Sequence, residues 1–584
     1  MSWKLKRKAQ ALLGDEQGTV SKDWGGKVAV ALVYPNTYAV GMSNLGFQTI
    51  YRHLNALPDV VCERVFLPNP EDADEMRRSG TSPFSLESLR PLADFQMIGF
   101  SVTYEGDYIN VLRLLAMASI PLRAADRGAR DPLVLMGGVC AFSNPEPLAP
   151  FMDFVVVGEG EELVVELIAA YRNGDRDREK LLASLAAMEG IYVPAEYDVA
   201  YAADGTLASV ATRGAAPAVV TKRRLRNVNA FETVAAVKTP HAEYGHMALL
   251  EVGKGCGRGC RFCLEGQVYR PVRHRSVDAL RETVAQMAAN GERRVGLVGA
   301  CVSDYPWIGE LLKIVEENGL ELSISSLRAD SLTEDLVAAL ARGGHRTLTM
   351  APEAGTERLR RAIRKPITDD QLTTACDLVR AHGIPNLKCY FMIGQPTETS
   401  EDVEAIPALA GRMLERLRVL DPSGQPFGRL TLSISSFVPK PWTPFQWVGF
   451  DGAASLGAKL ETIKRGVRRL HNVRVLHENP REAALQALLA RGDRRVADFL
   501  ELAASYEGDW RRALREWDGD ADFYATRERS TDERLPWDHF DVGVKKAGLL
   551  REWERTRAED ALAAGAAAAS AAGAVAAAAS GAGR

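Results

Sequence analysis

Three of the chain's eight cysteines crowd into the string GKGCGRGCRFC as Cys256, Cys260 and Cys263, a CxxxCxxC spacing interleaved with Gly253, Gly255, Gly257 and Gly259. Glycines let a backbone fold tightly around a bulky object, so three thiolates can converge where larger residues would clash. A 4Fe–4S cluster ordinarily takes four cysteine ligands; three leave one iron open to a non-protein ligand, and an open iron means chemistry at the cluster. A structural zinc prefers four ligands in paired short spacings, and with His274 as its fourth ligand the pattern would be irregular. The other five cysteines, Cys62, Cys140, Cys301, Cys376 and Cys389, stand singly in apolar segments and are expected to be inert core thiols.

The cysteines follow ALLEVG, which opens a series of alternating strand-like and helical segments. After it come a helix over 276–290, RRVGLVGA, a helix over 306–318, LELSISSL, a helix over 333–342, RTLTMAPE, a helix over 356–364, LKCYFMIG, a helix over 399–417, and RLTLSISSF. Six or seven such units predict a full or partial βα barrel over 246–450, with its reactive side at the carboxyl ends of the strands. The cysteines lie on that side.

An earlier series precedes it over 27–175. VAVALVYP, VVCERVFLP, FQMIGFSV, PLVLMGGV and FVVVGE are continuous apolar runs, as strands covered on both faces should be. Segments such as 107–119 and 160–172 between them place apolar residues at helical spacing. Five units predict an α/β, flavodoxin-like doubly wound sheet. Residues 1–26 form a short extension, and 176–245 a linker with a hairpin turn at AADGTLAS. Lys222, Arg223, Arg224 and Arg226 in that linker read as a solvated loop, with a phosphate or RNA contact as the alternative. Over 451–560 the pattern is largely helical, with Trp510, Trp517 and Trp537 as packing anchors. The Ala-rich tail 561–584 has too few large side chains to offset ordering, so disorder is expected there.

Composition excludes several classes. The 584 residues carry 72 Lys+Arg against 76 Asp+Glu, a formal charge of −4, so the whole-molecule field attracts neither nucleic acid nor an acidic membrane. The basic start has only Ala9 to Leu13 as an apolar stretch, too little for a signal peptide, and no run is apolar enough to span a bilayer. A cytoplasmic protein is expected, with no membrane partner.

The CxxxCxxC loop with Phe262 before its last cysteine, at the end of a first barrel strand, resembles the radical S-adenosylmethionine (SAM) superfamily. EVGKGCGRGCRFCLEGQVYRPVRHRS is similar, more narrowly, to bacterial radical SAM proteins with an N-terminal cobalamin-binding-like domain. So are YPNTYAVGMSNLGFQTIY and GGVCAFSNPEPLAPFMDFVVVGEGEE, and the resemblance covers roughly residues 25–540. It implies that Cys256, Cys260 and Cys263 hold a 4Fe–4S cluster. The open iron would chelate SAM, and a reducing partner such as flavodoxin or ferredoxin would supply the electron that yields a 5′-deoxyadenosyl radical. It also implies the SAM contacts. The glycine motif for the methionine amino group falls at Gly299, without the common GGE form; Ser303 and Asp304 are substitutes. Ser325, Ser326 and Arg328 would serve the methionine carboxylate and ribose. Glu353, beside Gly355, stands where the family has a ribose-contacting acid. Ile393 and Gly394 let the backbone approach adenine, near which Phe262 would stack. VPKPWTPFQW (438–447) resembles a segment common after the barrel, its aromatics packing or lining the mouth.

The DxHxxG signature of the best-known cobalamin domains is missing. His53 lies on a helix, and no other histidine precedes His241. Two accounts stand: cobalamin bound at the sheet's switch point without a protein histidine, or a fold that has lost the cofactor and binds substrate. Tyr34, Asn36, Tyr38 and Met42 after the first strand, and Gly137, Gly138 and Gly158 after later ones, either admit a flat ligand or are plain turn residues. The function implied is hydrogen abstraction, or methyl transfer if cobalamin is present, on a substrate the sequence does not name. One alternative is an iron–sulfur electron-transfer or binding protein without turnover, which would need a fourth ligand. Another is a methylthiotransferase acting on RNA or a ribosomal protein. That class uses three further N-terminal cysteines, and only Cys62 and Cys140 precede residue 240.

Overall fold

The computed structural model describes residues 2–561. The expectation for the Ala-rich tail falls, from residue 562 onward, outside the described residues.

The first series forms a six-stranded sheet. Its strands are β1 (Val28–Tyr34), β2 (Val60–Phe66), β3 (Met97–Ser101), β4 (Leu133–Gly137), β5 (Phe154–Val156) and β6 (Ile191–Tyr192), in the order β2-β1-β3-β4-β5-β6. The first five are parallel and β6 runs antiparallel to β5. This is the flavodoxin-like order, with its switch point between β1 and β3. Every residue of β1 is buried, as an apolar strand covered on both faces must be. Strand β6 lies beyond the expected boundary at 175, because Gly190 and Met188 turn the chain back after the helix Arg178–Ala186. The N-terminal extension is pinned to this unit. Its Glu16 and the loop residue Glu87 each hold the buried Arg64 of β2 at 2.6 Å.

The linker supplies a hairpin, β7 (Tyr197–Tyr201) with β8 (Leu207–Thr212), and a short strand β9 (Val220–Thr221). The solvated-loop reading of its basic run is corrected at Lys222. That side chain is only 7% exposed, sits over the rings of Phe142 and Tyr269, and donates to the Val268 carbonyl. Burial pulls its ammonium down to about 8. Lys222 therefore ties the first sheet to the cysteine loop, while Arg223 pairs with Glu166 at 2.7 Å on the surface.

The second series begins with β10 (Ala248–Glu251). After a small antiparallel pair, β11 (Gly253–Lys254) with β12 (Arg273–His274), it continues through β13 (Arg294–Val298), β14 (Glu321–Ile324), β15 (Thr347–Glu353), β16 (Asn386–Ile393), β17 (Arg429–Ser436) and β18 (Val473–His477). Seven parallel strands thus follow in chain order, β10-β13-β14 and β15-β16-β17-β18, joined by a bridge between Leu327 and Met350. Among the described residues no pairing joins β10 to β18, so the barrel is partial. Its crossover helices start where Ser276, Thr333, Thr356, Thr368 and Thr399 cap their first turns, the last two in reciprocal capping boxes. The series outruns the expected limit at 450: β18 pairs with β17 inside the region read as largely helical.

The C-terminal helices bind the two units. Asn144 donates to the carbonyls of Ala490 and Gly492, and Arg494 joins Glu146 and Tyr192. Strand β19 (Phe540–Asp541) pairs with β9 of the linker. Of 438–447, Trp442, Phe445 and Trp447 are buried, and Trp442 Nε1 donates to the Ser143 carbonyl, so these aromatics pack between units.

Asp107, at the switch point, gives a pH test. It is 4% exposed, accepts from Asn36 at 2.9 Å and Asn110 at 3.2 Å, and burial nonetheless pushes its carboxyl up to about 6. A folded value above the unfolded one means the fold prefers the proton, so stability falls as pH rises from about 4 through about 6. Asp107→Asn should raise the melting temperature at pH 8, by an equivalent of about 1–3 kcal/mol, and leave it unchanged near pH 4. Equal gains at both pH values would contradict this.

Candidate active site

The antiparallel pairing of Gly253 with His274 and Lys254 with Arg273 closes the base of a loop that carries all three cysteines. Two glycines inside it are obligatory. Gly255 has φ +83°, and a β-carbon there would lie 2.3 Å from the Tyr269 carbonyl oxygen; Gly259 has φ +69° and the Arg270 guanidinium against it. The loop is anchored outward by Arg261, whose N–H donates to the Ile363 carbonyl at 3.0 Å and whose guanidinium pairs with Glu552 and Glu559.

Each sulfur faces a donor. The Arg258 N–H approaches Cys256 Sγ at 3.5 Å, the Gly266 N–H approaches Cys263 Sγ at 3.4 Å, and Arg328 Nη1 approaches Cys260 Sγ at 3.9 Å. Burial pushes the Cys263 thiol up to about 12 and also raises Cys260, against the pull of Lys365 and Arg328. The three thiols sense one another's charge. Among the described residues no three His, Cys, Asp or Glu side chains converge closely enough for a single ion. A cubane bound through three irons needs a wider triangle of soft thiolates, and with three thiolates it is a net anion. The sulfur-directed N–H groups and the two cations beside Cys260 fit such a group.

Around the loop the strand ends supply an ionic lattice. Arg258 grips Asp304 through two bonds of 2.6 Å and reaches Asp330 at 3.2 Å. Arg328, 8% exposed, grips Asp330 through two bonds of 2.9 Å. Burial pushes the Asp304 carboxyl up, but the hydrogen bonds from Arg258 and Cys301 together with the charges of Arg258 and Arg328 hold it below its usual value. One edge of Arg328 is thus committed to Asp330, and the group left over faces Cys260. Ser303 is buried and bonds Ser331 at 2.7 Å; Ser325 and Ser326 are exposed at the end of β14. Gly299 follows the end of β13 and is exposed, 3.3 Å being the closest approach its β-carbon would make, to Val252.

Glu353 ends β15 with φ +70° and accepts from the buried Lys365 at 2.8 Å. Gly355 is filled from behind: a β-carbon would fall 2.5 Å from the Asp402 carbonyl of the helix Ser400–Leu417. Ile393 has a fully buried side chain, and Gly394 has φ +80° with its N–H bonded to Glu398 at 2.9 Å. Phe262 is half-buried against the core.

The core assignment holds for Cys62, Cys140, Cys376 and Cys389, all buried, and is corrected for Cys301. That residue is part-exposed at the carboxyl end of β13, with its sulfur 3.7 Å from Ser303 Oγ and the charges of Asp304 and Cys256 in reach. Sequence reasoning also missed Arg258, Asp330, Ser331 and Lys365. Only Arg258 carried a signal, its place inside the cysteine motif. His53 lies on the helix Leu45–Ala56, its ring edge-on to Phe231 at 5.1 Å and within reach of the Glu161 charge.

A family model described as Radical SAM superfamily matches residues 250–410, and one described as Radical SAM proteins, N-terminal, matches 46–194. A protein of Methanocaldococcus jannaschii described as uncharacterised is 30% identical over 473 residues, 81% of this chain and 90% of that one. A tRNA-2-methylthio-N(6)-dimethylallyladenosine synthase of Opitutus terrae is 28% identical over 178 residues, 27% of this chain and 36% of its own length. Among solved structures, the radical S-adenosylmethionine methyltransferase TsrM from Kitasatospora setae, with cobalamin and a 4Fe–4S cluster bound, shares the fold. It has a TM-score of 0.52 and 14% identity, and the match covers 84% of this chain and 100% of that one.

Proposed function

Because the chain belongs to the radical SAM superfamily, and so is an enzyme, we propose that it holds a 4Fe–4S cluster on Cys256, Cys260 and Cys263 and cleaves S-adenosylmethionine reductively to modify a substrate. A bound cluster would supply one electron to the sulfonium and release a 5′-deoxyadenosyl radical. The observation that carries this reading is the loop itself: three thiols, each facing a donor, with Arg328 and Lys365 beside Cys260. The chain's own residues do the holding. Gly255 and Gly259 bend the loop, Arg258 fixes it to Asp304 and Asp330, and the two cations offset the charge of the thiolates. Gly299, Ser303, Ser325, Glu353 and the Ile393–Gly394 backbone rim the same strand ends and are read as contacts for SAM.

The N-terminal sheet has the fold of a cobalamin-binding neighbour. Here its edge glycines meet the chain's own backbone: β-carbons at Gly138 and Gly158 would lie 2.4 Å and 2.2 Å from the carbonyl oxygens of Val102 and Arg223. If a corrinoid binds, Tyr34, Asn36, Tyr38 and Met42 after the first strand are the residues that would hold it, and the chain offers no DxHxxG histidine there. Corrinoid analysis of anaerobically purified protein separates cofactor binding from substrate binding by that sheet.

A second reading, a cluster closed by a fourth cysteine, has one observation for it: the Cys301 thiol senses the charge of Cys256. Its replacement decides between the two. Cys301→Ala should keep iron content and 5′-deoxyadenosine formation after anaerobic reconstitution and reduction. Loss of the cluster in that variant would establish Cys301 as a ligand and refute the open corner.

A further inference from the structure

Outside the strand ends, the cysteine loop borders a strongly basic concavity of about 390 Å³. Arg270, Arg364, Lys545, Arg551 and Arg555 line it with one acid, Glu552, and all five cations are exposed. That single carboxylate serves Arg364 at 3.4 Å and Arg555 at 2.9 Å, as well as Arg261 of the loop at 3.2 Å. Among the described residues Arg270, Lys545 and Arg551 face no carboxylate within ion-pair distance, and residues 562–584 contain no Asp or Glu that could neutralise them. In a chain of net charge −4 this is a local inversion of sign.

The concavity is also in direct contact with the cluster loop. Gln267 lines it and its amide donates to the Cys260 carbonyl at 3.5 Å, and the Arg270 guanidinium lies against Gly259. Arg364 follows Ile363, whose carbonyl accepts from Arg261. We propose that this face is the docking surface of an acidic protein carrying a low-potential one-electron centre, which reduces the cluster; the proposal rests on the cluster reading above. The partner's centre loses one electron and the cluster gains it. Passed to the sulfonium, that electron breaks the S–C5′ bond, leaving a lone pair on the methionine sulfur and the unpaired electron on the 5′-deoxyadenosyl carbon. Charge complementarity steers such an encounter and leaves it rapidly reversible, as a reductant that must depart requires. An RNA partner is disfavoured by the lining, which contains no aromatic side chain on which a base could stack.

The test uses the reconstituted full chain and two electron sources, dithionite and reduced flavodoxin. The double variant Lys545→Glu/Arg551→Glu should form 5′-deoxyadenosine at the wild-type rate with dithionite. With flavodoxin at low salt it should be slower by roughly tenfold, the difference shrinking as salt is raised. Lys545→Gln/Arg551→Gln should show the same salt-sensitive loss to a smaller extent, which guards against damage to the fold by charge reversal. Equal flavodoxin-driven rates in variant and wild type overturn the proposal. Loss of transfer-RNA binding with the flavodoxin-driven rate intact overturns it in favour of a nucleic-acid surface. Failure of the wild type with both reductants is a different result, and falls on the cluster reading instead.

Discussion

Cys260→Ala should yield a folded chain that has lost its iron and its SAM cleavage together. The residue is 9% exposed, so trimming its sulfur from a packed wall costs about 1 kcal/mol, a small part of a domain's stability. Its weight toward a cluster is much greater. Cys260 is the thiol beside both Arg328 and Lys365, and it lies between the other two ligands in the loop. Structural zinc sites in small peptides are worth about 10–16 kcal/mol over the whole ligand set, and on that scale losing one of three thiolates removes several kcal/mol of cluster affinity. Iron and sulfide analysis after anaerobic reconstitution should therefore approach background, and 5′-deoxyadenosine formation should fall by roughly a thousandfold or more. Cys256→Ala and Cys263→Ala should behave alike. Full cleavage by the Cys260 variant would refute the assignment.

The difference between Cys260 and Cys301 shows what the sequence could and could not display. Cys256, Cys260 and Cys263 are legible because their spacing and their glycines are local. Cys301, in LVGACV, looks like any apolar strand residue; only the end of β13 at Val298, three residues earlier, turns it out toward Asp304. The same distinction runs through the fold. Strands β1 and β3 are readable because both faces are covered and the apolar run is continuous. Strand β18 is half-exposed, and VRVLH between two helices gives no run to read. Lys222 reads as a solvated charge among three arginines, yet the aromatic faces that cover it come from Phe142 and Tyr269, 80 residues before it and 47 after. The lattice of Arg258, Asp304, Arg328 and Asp330 likewise joins three loops distant in sequence. Such pairings are set by tertiary contact, and no local pattern encodes them.

The second large effect is expected at Lys365. Its ammonium lies 2.8 Å from Glu353, with side-chain exposures of 7% and 15%. Removing one partner of a buried pair strands the other charge, at a cost of about 3–5 kcal/mol, whereas replacing both by neutral groups of similar volume is close to neutral. Lys365→Met should therefore lower the denaturation midpoint sharply, and Lys365→Met/Glu353→Gln should recover most of the loss. The cycle also separates two roles for Glu353. As a ribose contact, Glu353→Gln raises KM for SAM and leaves kcat nearly unchanged, because binding is lost equally from ground and transition states. As the partner of Lys365 alone, it leaves KM unchanged and frees the ammonium to act on the Cys260 thiolate, moving the cluster's reduction potential upward. The backbone supports the contact role. Glu353 is held at φ +70° while Gln395 donates to its carbonyl at 3.1 Å, a strained conformation that places the residue at the strand end where SAM is proposed to bind. An unchanged KM together with a shifted potential would reassign Glu353 to the ion pair and leave the ribose to Ser325.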